Sequence, residues 1–253
     1  MNASPQPVRW PSDAFSGRRV LVTGGTSGIG AAVAHAFLEA GAQVTATGIA
    51  ASEIAALQSD PDFAGIQFAL LDVSDKPAVD DLLGQFQGLD ILVNCAGIIR
   101  RGAELDPEVF DQVLDVNLSG TMRVCAAARP LLAASGRGAI VNTASMLSIF
   151  GGGLVPGYAA SKGGISQLTK SLAIAYAPDG IRVNTVAPGW IATPLTQALR
   201  DDPARSQAIL SRTPLNRWGS PDEVANAVLY LCSPLAGFVV GATLVVDGGY
   251  SVT

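Results

Sequence analysis

Three side chains of the sequence, Ser145, Tyr158 and Lys162, could together move a proton. A phenol titrates at about pH 10, so a lone tyrosine is a poor acid or base near neutral pH. Lys162 follows Tyr158 by one turn of a predicted helix, which places both side chains on the same helix face. The nearby ammonium is therefore expected to lower the pKa of Tyr158. Because such a pair also occurs on helix surfaces without function, the rest of the chain has to decide its meaning.

The elements that must position these side chains alternate short β-branched runs with longer helical patterns. This alternation is typical of a parallel sheet covered by helices. Strands are predicted at 19–23, 43–47, 66–71, 91–94, 139–142, 182–186 and 243–246. Helices are predicted to begin near Gly28, Ala51, Asp75, Pro107, Tyr158 and Pro221. The sequence thus predicts an α/β fold, with an N-terminal extension at 1–16, one doubly wound domain at 17–253 and a helical substrate loop at about 190–217.

Composition excludes several classes of function. The net charge is -5 and the 16 basic residues are scattered, so no nucleic-acid surface is expected. The single histidine, His35, lies in a helical pattern, which makes a histidine-dependent triad or a metal site unexpected. The three cysteines, Cys95, Cys125 and Cys232, lie in apolar stretches and indicate reduced thiols. No apolar run of about 18 residues or signal peptide is apparent, so the expectation is a cytoplasmic protein without membrane contact.

A glycine-rich turn follows the first predicted strand and leads directly into a helix, in the sequence TGGTSGIG. Gly24 would permit the tight turn, Gly28 a close approach to a pyrophosphate, and Gly30 close packing of the helix on the strand. The N-terminus of the helix offers unpaired N–H groups to an anion. The turn therefore predicts dinucleotide binding, although glycines that only turn the chain would give a similar pattern.

The residue after the second strand normally reports on the adenosine ribose of a bound dinucleotide. The chain here has neither an acid nor an arginine directly at the turn after Thr47. Without a basic residue to neutralise a 2′-phosphate, NAD is preferred and NADP remains possible. Asp72, after the third strand, is expected either to bond the adenine edge or to cap the next helix.

Two further polar positions follow the central strands. The turn that begins at Asn94 and ends at Gly97 consists of small residues, which leave room for a ligand at the carboxyl end of a strand. Asn117 interrupts an apolar helical pattern, where it could simply bond a helix carbonyl.

Together these motifs resemble the short-chain dehydrogenase/reductase family. The resemblance covers residues 19–250 and rests on TGGTSGIG, NCAG, Asn117, Ser145, YAASK, NTVAPGW and VDGGY in this order. It implies a Rossmann-type domain, an NAD(P)-dependent oxidoreductase acting on a CH–OH group, and a homotetramer. The usual NNAG is NCAG here, and because Cys95 is also small we expect little effect.

The resemblance also implies roles for individual residues. Tyr158 is the general acid/base, Ser145 hydrogen-bonds the substrate oxygen, and Asn117 positions a water in the proton relay. Lys162 lowers the pKa of the phenol and binds the nicotinamide ribose. The implied cofactor-binding residues are Gly24, Thr26, Ser27, Gly28, Ile29, Gly30, Asp72, Val73, Asn94, Ala96, Gly97, Tyr158, Lys162, Pro188, Gly189, Ile191 and Thr193.

Within the family, the segments 96–102, 144–152 and 210–224 resemble 2-deoxy-D-gluconate 3-dehydrogenases and gluconate 5-dehydrogenases. A sugar acid or polyol is therefore the expected substrate, and guanidinium groups could bind its carboxylate. The candidate substrate-binding residues are Arg100, Met146, Trp190 and Arg212, with Arg101 and Arg217 as further arginines. Two alternatives stay open: a 3-oxoacyl-carrier-protein reductase, and a non-catalytic scaffold that binds a cofactor.

Overall fold

Seven short runs rich in β-branched and apolar residues form a single parallel sheet in the computed structural model, which describes residues 10–253. The strands are β1 Arg19–Thr23, β2 Gln43–Gly48, β3 Gln67–Leu70, β4 Ile91–Asn94, β5 Ala139–Thr143, β6 Arg182–Pro188 and β7 Thr243–Val246. All seven predicted strands are confirmed, and the bounds of β1, β4 and β7 agree with the prediction.

The order of the strands in the sheet is β3-β2-β1-β4-β5-β6-β7. The chain therefore adds β2 and β3 on one side of β1, and then returns to add β4 on the other side of β1. Val20 pairs with Ile91 and Thr23 with Asn94 across this central junction. Ligands of open parallel sheets bind beyond the carboxyl ends of the strands at such a reversal. The topology thus places a binding crevice after Thr23 and Asn94.

The α-helices of the described residues are α1 Gly28–Glu39, α2 Ala51–Gln58, α3 Lys76–Gly84, α4 Pro107–Leu114, α5 Thr121–Ser135, α6 Pro156–Tyr176, α7 Gln197–Arg200, α8 Pro203–Ser211 and α9 Pro221–Cys232. Two helices begin at residues other than those predicted. Helix α3 begins one residue later because Asp75 is its N-cap, and α6 begins at Pro156 instead of Tyr158. The helix predicted from Pro107 continues through a π-helical turn, Asp115–Gly120, into α5. The predicted lid is helical and consists of α7, α8 and a 3₁₀ turn before them.

The core lies on both faces of the sheet. Successive residues of a strand point to opposite faces, so Val20 and Val22 of β1 pack with α1 and α9, whereas Leu21 packs with α3, α5 and α6. The side chains of Val20, Leu21 and Val22 are fully buried, and the burial of each stabilises the fold by about 1.5–3 kcal/mol. This two-sided burial holds the carboxyl ends of the central strands rigidly in place.

The N-terminal extension predicted at 1–16 is only partly within the described residues, since residues 1–9 lie outside them. Trp10 and Phe15 pack edge to face, with 5.9 Å between ring centroids, and Phe15 packs on Phe37 of α1 at 4.9 Å. Phe15 is fully buried. Phe15 of the predicted extension is therefore part of the core, and Trp10 packs against it.

Residues 10–253 contain no helix that is long and apolar enough to cross a membrane. The same residues contain no group of three or more histidine, cysteine or acidic side chains arranged to bind a metal ion. Cys95, Cys125 and Cys232 are free thiols.

Candidate active site

A cavity of about 580 Å³ opens at the carboxyl end of the sheet, beside the central junction of β1 and β4. It is lined by the glycine-rich turn, the ends of β2 to β5, the start of α6 and the first residues of the lid. The predicted site residues that line it are Gly24, Thr26, Ser27, Gly28, Ile29, Gly30, Asp72, Val73, Ala96, Gly97, Arg100, Tyr158, Lys162 and Thr193. Residues more than a hundred positions apart thus meet in one crevice.

The glycine-rich turn is closely packed against its neighbours. Gly24 has a φ of +63°, and a Cβ there would lie 2.6 Å from the backbone nitrogen of Ala96. A Cβ on Gly30 would lie 2.0 Å from the carbonyl oxygen of Gly24. Ser27 is the N-cap of α1, and its side chain makes no capping hydrogen bond. The first amides of α1 are therefore available to an anion, as a dinucleotide pyrophosphate requires.

The end of β2 carries no side chain, for a steric reason. A Cβ on Gly48 would lie 2.4 Å from Oγ1 of Thr26. Thr26 Oγ1 donates a hydrogen bond to Oε2 of Glu53 at 2.8 Å, and Glu53 lines the cavity. An acid is thus present beside the turn, supplied by the first turn of α2 instead of by the strand.

Asp72 lines the same end of the cavity. Its Oδ1 accepts hydrogen bonds from the backbone nitrogen of Ser74 at 2.8 Å and from Oγ of Ser74 at 2.6 Å. The helix-capping alternative for Asp72 is wrong, because Asp75 is the N-cap of α3. Asp72 instead orders the turn before that N-cap.

Tyr158 lines the cavity, and Ser145 lies close enough to its phenol to affect the pKa of that group. Burial raises the pKa of Tyr158, the Ser145 hydrogen bond lowers it, and the charge of Glu104 raises it, with a net increase. The lowering expected from Lys162 is therefore wrong for this structure. The reason is burial, which has the largest effect on the pKa of this phenol, while Lys162 Nζ lies 5.5 Å from the centroid of its ring.

Lys162 is buried beside this pair, with 4% of its surface exposed. Its Nζ donates a hydrogen bond to the backbone carbonyl oxygen of Thr143 at 2.6 Å. Burial lowers the pKa of Lys162 to about 8, because desolvation disfavours the ammonium. The ammonium remains the main form at neutral pH, and its one hydrogen bond to the protein leaves N–H groups for a ligand.

Asn117 lies in the π-helical turn between α4 and α5. Its Oδ1 accepts from the backbone nitrogen of Ile98 at 2.7 Å, and its Nδ2 donates to the carbonyl oxygen of Ile98 at 3.0 Å and to Oγ of Ser161 at 3.1 Å. Such π turns occur often at functional sites. Asn117 thus joins the loop after β4 to the catalytic helix, instead of only bonding a carbonyl of its own helix.

Four predicted cofactor residues do not line the cavity. Asn94 is buried in a polar ladder in which its Nδ2 donates to Oδ1 of Asn142 at 2.9 Å. Gly189 packs against Asp247, Pro188 ends β6, and Ile191 is a core residue. Their neighbours in sequence, Ala96, Gly97 and Thr193, do line the cavity.

The four predicted substrate residues are divided between two places. Arg100 lines the cavity, and Met146 is buried next to Ser145. Trp190 instead lines a separate cavity of about 500 Å³. Arg212 lies over the ring of Tyr250, with its Cζ 4.4 Å from the ring centroid. This cation–π contact with the C-terminal segment explains why Arg212 does not line the cavity that contains Tyr158.

Sequence reasoning missed two acids of the site. Glu53 lies in the first turn of the helix after β2. An acid one helical turn after the position where it is usually expected is the sequence signal that could have identified it. Glu104 is buried, and its Oε2 accepts from the backbone nitrogen of Tyr158 at 2.8 Å. No local sequence signal marks Glu104, because its partner lies 54 residues later.

The fold, the glycine-rich turn and the Ser145–Tyr158–Lys162 cluster define a dehydrogenase of the Rossmann type. Residues 24–251 match a protein-family profile described as enoyl-(acyl carrier protein) reductase. The chain belongs to the short-chain dehydrogenase/reductase family, and it is an oxidoreductase that acts on CH–OH groups with a nicotinamide dinucleotide.

Three relatives show the range of the likeness. The chain is 41% identical to 2-dehydro-3-deoxy-D-gluconate 5-dehydrogenase of Pseudoalteromonas atlantica, over 93% of this chain and 96% of the relative. It is 40% identical to cis-4-hydroxycyclohexanecarboxylate dehydrogenase of Sinomonas cyclohexanicum, over 94% and 98%. The crystal structure of a gluconate 5-dehydrogenase from Burkholderia cenocepacia in complex with NADP and tartrate is 36% identical, with a TM-score of 0.87 and coverage of 95% and 98%.

Proposed function

We propose that the protein interconverts a secondary alcohol and a ketone of a sugar acid or polyol, with Tyr158 as the general acid/base. The observation that carries this proposal is a single cavity lined by Tyr158, by the buried Lys162 and by the N-terminus of α1, with Ser145 close to the phenol. The N-terminus of α1 lines this cavity and its first amides have no side-chain cap, which supports binding of a dinucleotide pyrophosphate. When bound, the nicotinamide supplies the hydride acceptor or donor.

In the oxidation direction, the phenolate oxygen of Tyr158 accepts the proton of the substrate hydroxyl. The hydroxyl of Ser145 donates a hydrogen bond to the developing alkoxide. The ammonium of Lys162 binds the nicotinamide ribose through its remaining N–H groups. Asn117 holds Ile98 and Ser161 in place and positions a water in the proton relay. In the reduction direction the phenol of Tyr158 returns the proton.

We propose that Arg100 binds the carboxylate of a hydroxy-acid substrate. It lines the cavity that contains Tyr158, and the names of the two curated relatives both describe dehydrogenases of hydroxy acids. A bidentate guanidinium–carboxylate contact contributes about 1.5–3 kcal/mol, which is roughly 10- to 100-fold in affinity. Arg100→Gln is expected to raise KM for gluconate by that factor, whereas the matched control Arg101→Gln leaves it unchanged.

Assays with both cofactors against gluconate, 2-deoxygluconate, a polyol panel and hydrophobic alcohols test the substrate class. Preferential turnover of the sugar acids supports the proposal. Turnover of hydrophobic alcohols alone removes the sugar-acid part, while the oxidoreductase reaction itself stands.

We propose NAD as the preferred cofactor, on electrostatic grounds. A 2′-phosphate near Thr26 would face the carboxylate of Glu53, whereas a 2′-hydroxyl could donate to it. The relative from Burkholderia cenocepacia contains NADP, which favours the other cofactor. The ratio of kcat/KM for NAD to that for NADP decides the question. Glu53→Gln is expected to reduce this ratio about tenfold, and Asp81→Asn, on the exposed side of α3, is the control.

The two alternative functions are tested in the same assays. An acyl-carrier-protein reductase requires a basic surface for its acidic carrier, and turnover of 3-oxoacyl thioesters in preference to sugar acids would favour it. A non-catalytic scaffold would bind the dinucleotide without turnover of any alcohol. The presence of Asn117, Ser145, Tyr158 and Lys162 together argues against this scaffold.

We propose further that the chain forms a cytoplasmic homotetramer from one domain at 17–253, with residues 190–217 as its substrate loop. Two exposed apolar side chains support an assembly: Ile174 on α6 is 79% exposed, and Phe238 before β7 is fully exposed. Burial of such side chains between subunits is favourable. Light scattering coupled to size exclusion measures the mass, and a value near one subunit would contradict the tetramer.

A further inference from the structure

We infer that Glu104 is a positioning residue that caps the catalytic helix α6 and fixes the loop of Arg100 relative to Tyr158. This inference rests on the proposed function of Tyr158 and Arg100. It concerns a carboxylate that is 1% exposed and lies on a 3₁₀ turn, Ala103–Leu105, outside the sequence motifs of the site.

The two oxygens of the carboxylate of Glu104 bind two different segments. Oε2 accepts from the backbone nitrogen of Tyr158 at 2.8 Å, and Oε1 accepts from the backbone nitrogen of Arg100 at 2.7 Å. The backbone nitrogen of Glu104 also donates to the carbonyl oxygen of Arg100 at 3.1 Å. One side chain therefore joins the start of α6 to the loop that carries the cavity arginine.

The start of α6 needs a cap from outside the helix. Its N-cap residue is Val155, whose apolar side chain cannot accept a hydrogen bond, and the first helical residue is Pro156. Tyr158 is the third helical residue, so its N–H has no partner within the helix. Glu104 satisfies this N–H, and its negative charge lies at the positive end of the helix dipole.

The charge of Glu104 also acts on the phenol of Tyr158. The charged and titratable groups on the elements around this carboxylate are Arg100, Arg101 and Asp106 on its own loop, and Tyr158 and Lys162 on α6. The neighbouring helix α4 presents Phe110 to the start of α6 and keeps Glu108 and Asp111 exposed. A carboxylate near a phenol disfavours the phenolate, and Glu104 contributes in this direction to the raised pKa of Tyr158.

The variants Glu104→Gln and Glu104→Ala remove the charge together with one or both of the hydrogen bonds that the carboxylate accepts. Glutamine keeps one acceptor oxygen and removes the charge, whereas alanine removes both. Glu108→Gln, on the exposed side of α4, is the matched control. The ultraviolet absorbance of tyrosinate, measured against Tyr158→Phe to isolate the phenol of Tyr158, gives its titration without any turnover.

We expect the titration of Tyr158 to move to lower pH by about one unit in Glu104→Gln, with no change in Glu108→Gln. The increase of kcat/KM for alcohol oxidation with rising pH should also shift to lower pH, with D-gluconate or threitol as the substrate. In Glu104→Ala, KM for gluconate should rise about tenfold more than KM for threitol, because the loop of Arg100 loses its anchor.

An unchanged titration of Tyr158 in Glu104→Gln would overturn the influence of Glu104 on the phenol. Equal changes of KM for gluconate and threitol would overturn the coupling to Arg100. If Glu104→Ala does not fold, the titration of Glu104→Gln still decides. Inactivity of the wild type on both substrates would refute the proposed function alone, since the absorbance titration does not depend on turnover.

Discussion

Replacement of Lys162 by methionine should give an inactive protein that is more stable than the wild type at pH 7. The pKa of this buried lysine falls from 10.5 to about 8, a difference of about 2.5 pH units. This difference corresponds to roughly 3 kcal/mol of desolvation cost for the ammonium. The hydrogen bond to Thr143 offsets about 1–2 kcal/mol, so the net gain of the variant is about 1–2 kcal/mol.

The predicted gain depends on pH with a definite sign. Because the pKa of Lys162 is lower in the folded than in the unfolded protein, the unfolded chain binds more protons between pH 8 and 10.5. The free energy of unfolding of the wild type therefore rises through this window. The advantage of Lys162→Met is fully present below pH 8 and is lost as the pH approaches 10.5.

Thermal unfolding at neutral and alkaline pH measures the effect. A gain of about 2 kcal/mol corresponds to a Tm about 4–8 °C above that of the wild type for a chain of this size. Lys170→Met is the matched control, because Lys170 is exposed on the same helix and its replacement should leave Tm nearly unchanged. A variant that is less stable than the wild type by the same amount at both pH values would refute the reasoning.

Two further predictions concern the turn and the sheet. Gly30→Ala places a Cβ 2.0 Å from the carbonyl oxygen of Gly24. We therefore expect the dinucleotide affinity, measured by fluorescence, to fall at least about tenfold. The free energy of unfolding should fall by about 1–3 kcal/mol. Burial raises the pKa of Asp90, but hydrogen bonds from the backbone of Arg19 and from Arg137 outweigh it, and the net pKa is lowered. The free energy of unfolding of the wild type should therefore fall as the pH drops below about 4. Asp90→Asn should be less stable than the wild type at pH 7 and should lose less stability at acid pH, as measured by urea unfolding.

The sequence predicted the parts of the fold that local chemistry determines. The β-branched runs gave all seven strands, because strands buried on both faces leave a continuous apolar signature. The glycine-rich turn was predicted with its geometry, since a positive φ at Gly24 and the close contact of Gly30 both require glycine. The family motifs then placed Ser145, Tyr158 and Lys162 together, and in the structure Tyr158 and Lys162 line one cavity with Ser145 close to the phenol.

Long-range contacts and burial were beyond the sequence. The direction of the pKa of Tyr158 depends on burial and on Glu104, whose contact spans 54 residues. Arg212 was a reasonable carboxylate ligand until the C-terminal ring of Tyr250 was seen beneath its guanidinium. Glu53 was visible after β2, but only the contact of Gly48 with Thr26 explains why the acid stands on α2 instead of on the strand.

The central claim is that the phenol of Tyr158 is the acid/base of the reaction. Its most direct test is the kcat of Tyr158→Phe for alcohol oxidation, with dinucleotide affinity measured in parallel and Tyr230→Phe, a partly exposed position on α9, as the control. We predict a loss of at least about 10²-fold in kcat with unchanged dinucleotide binding, and full activity of Tyr230→Phe. Equal turnover by the wild type and Tyr158→Phe would contradict the claim.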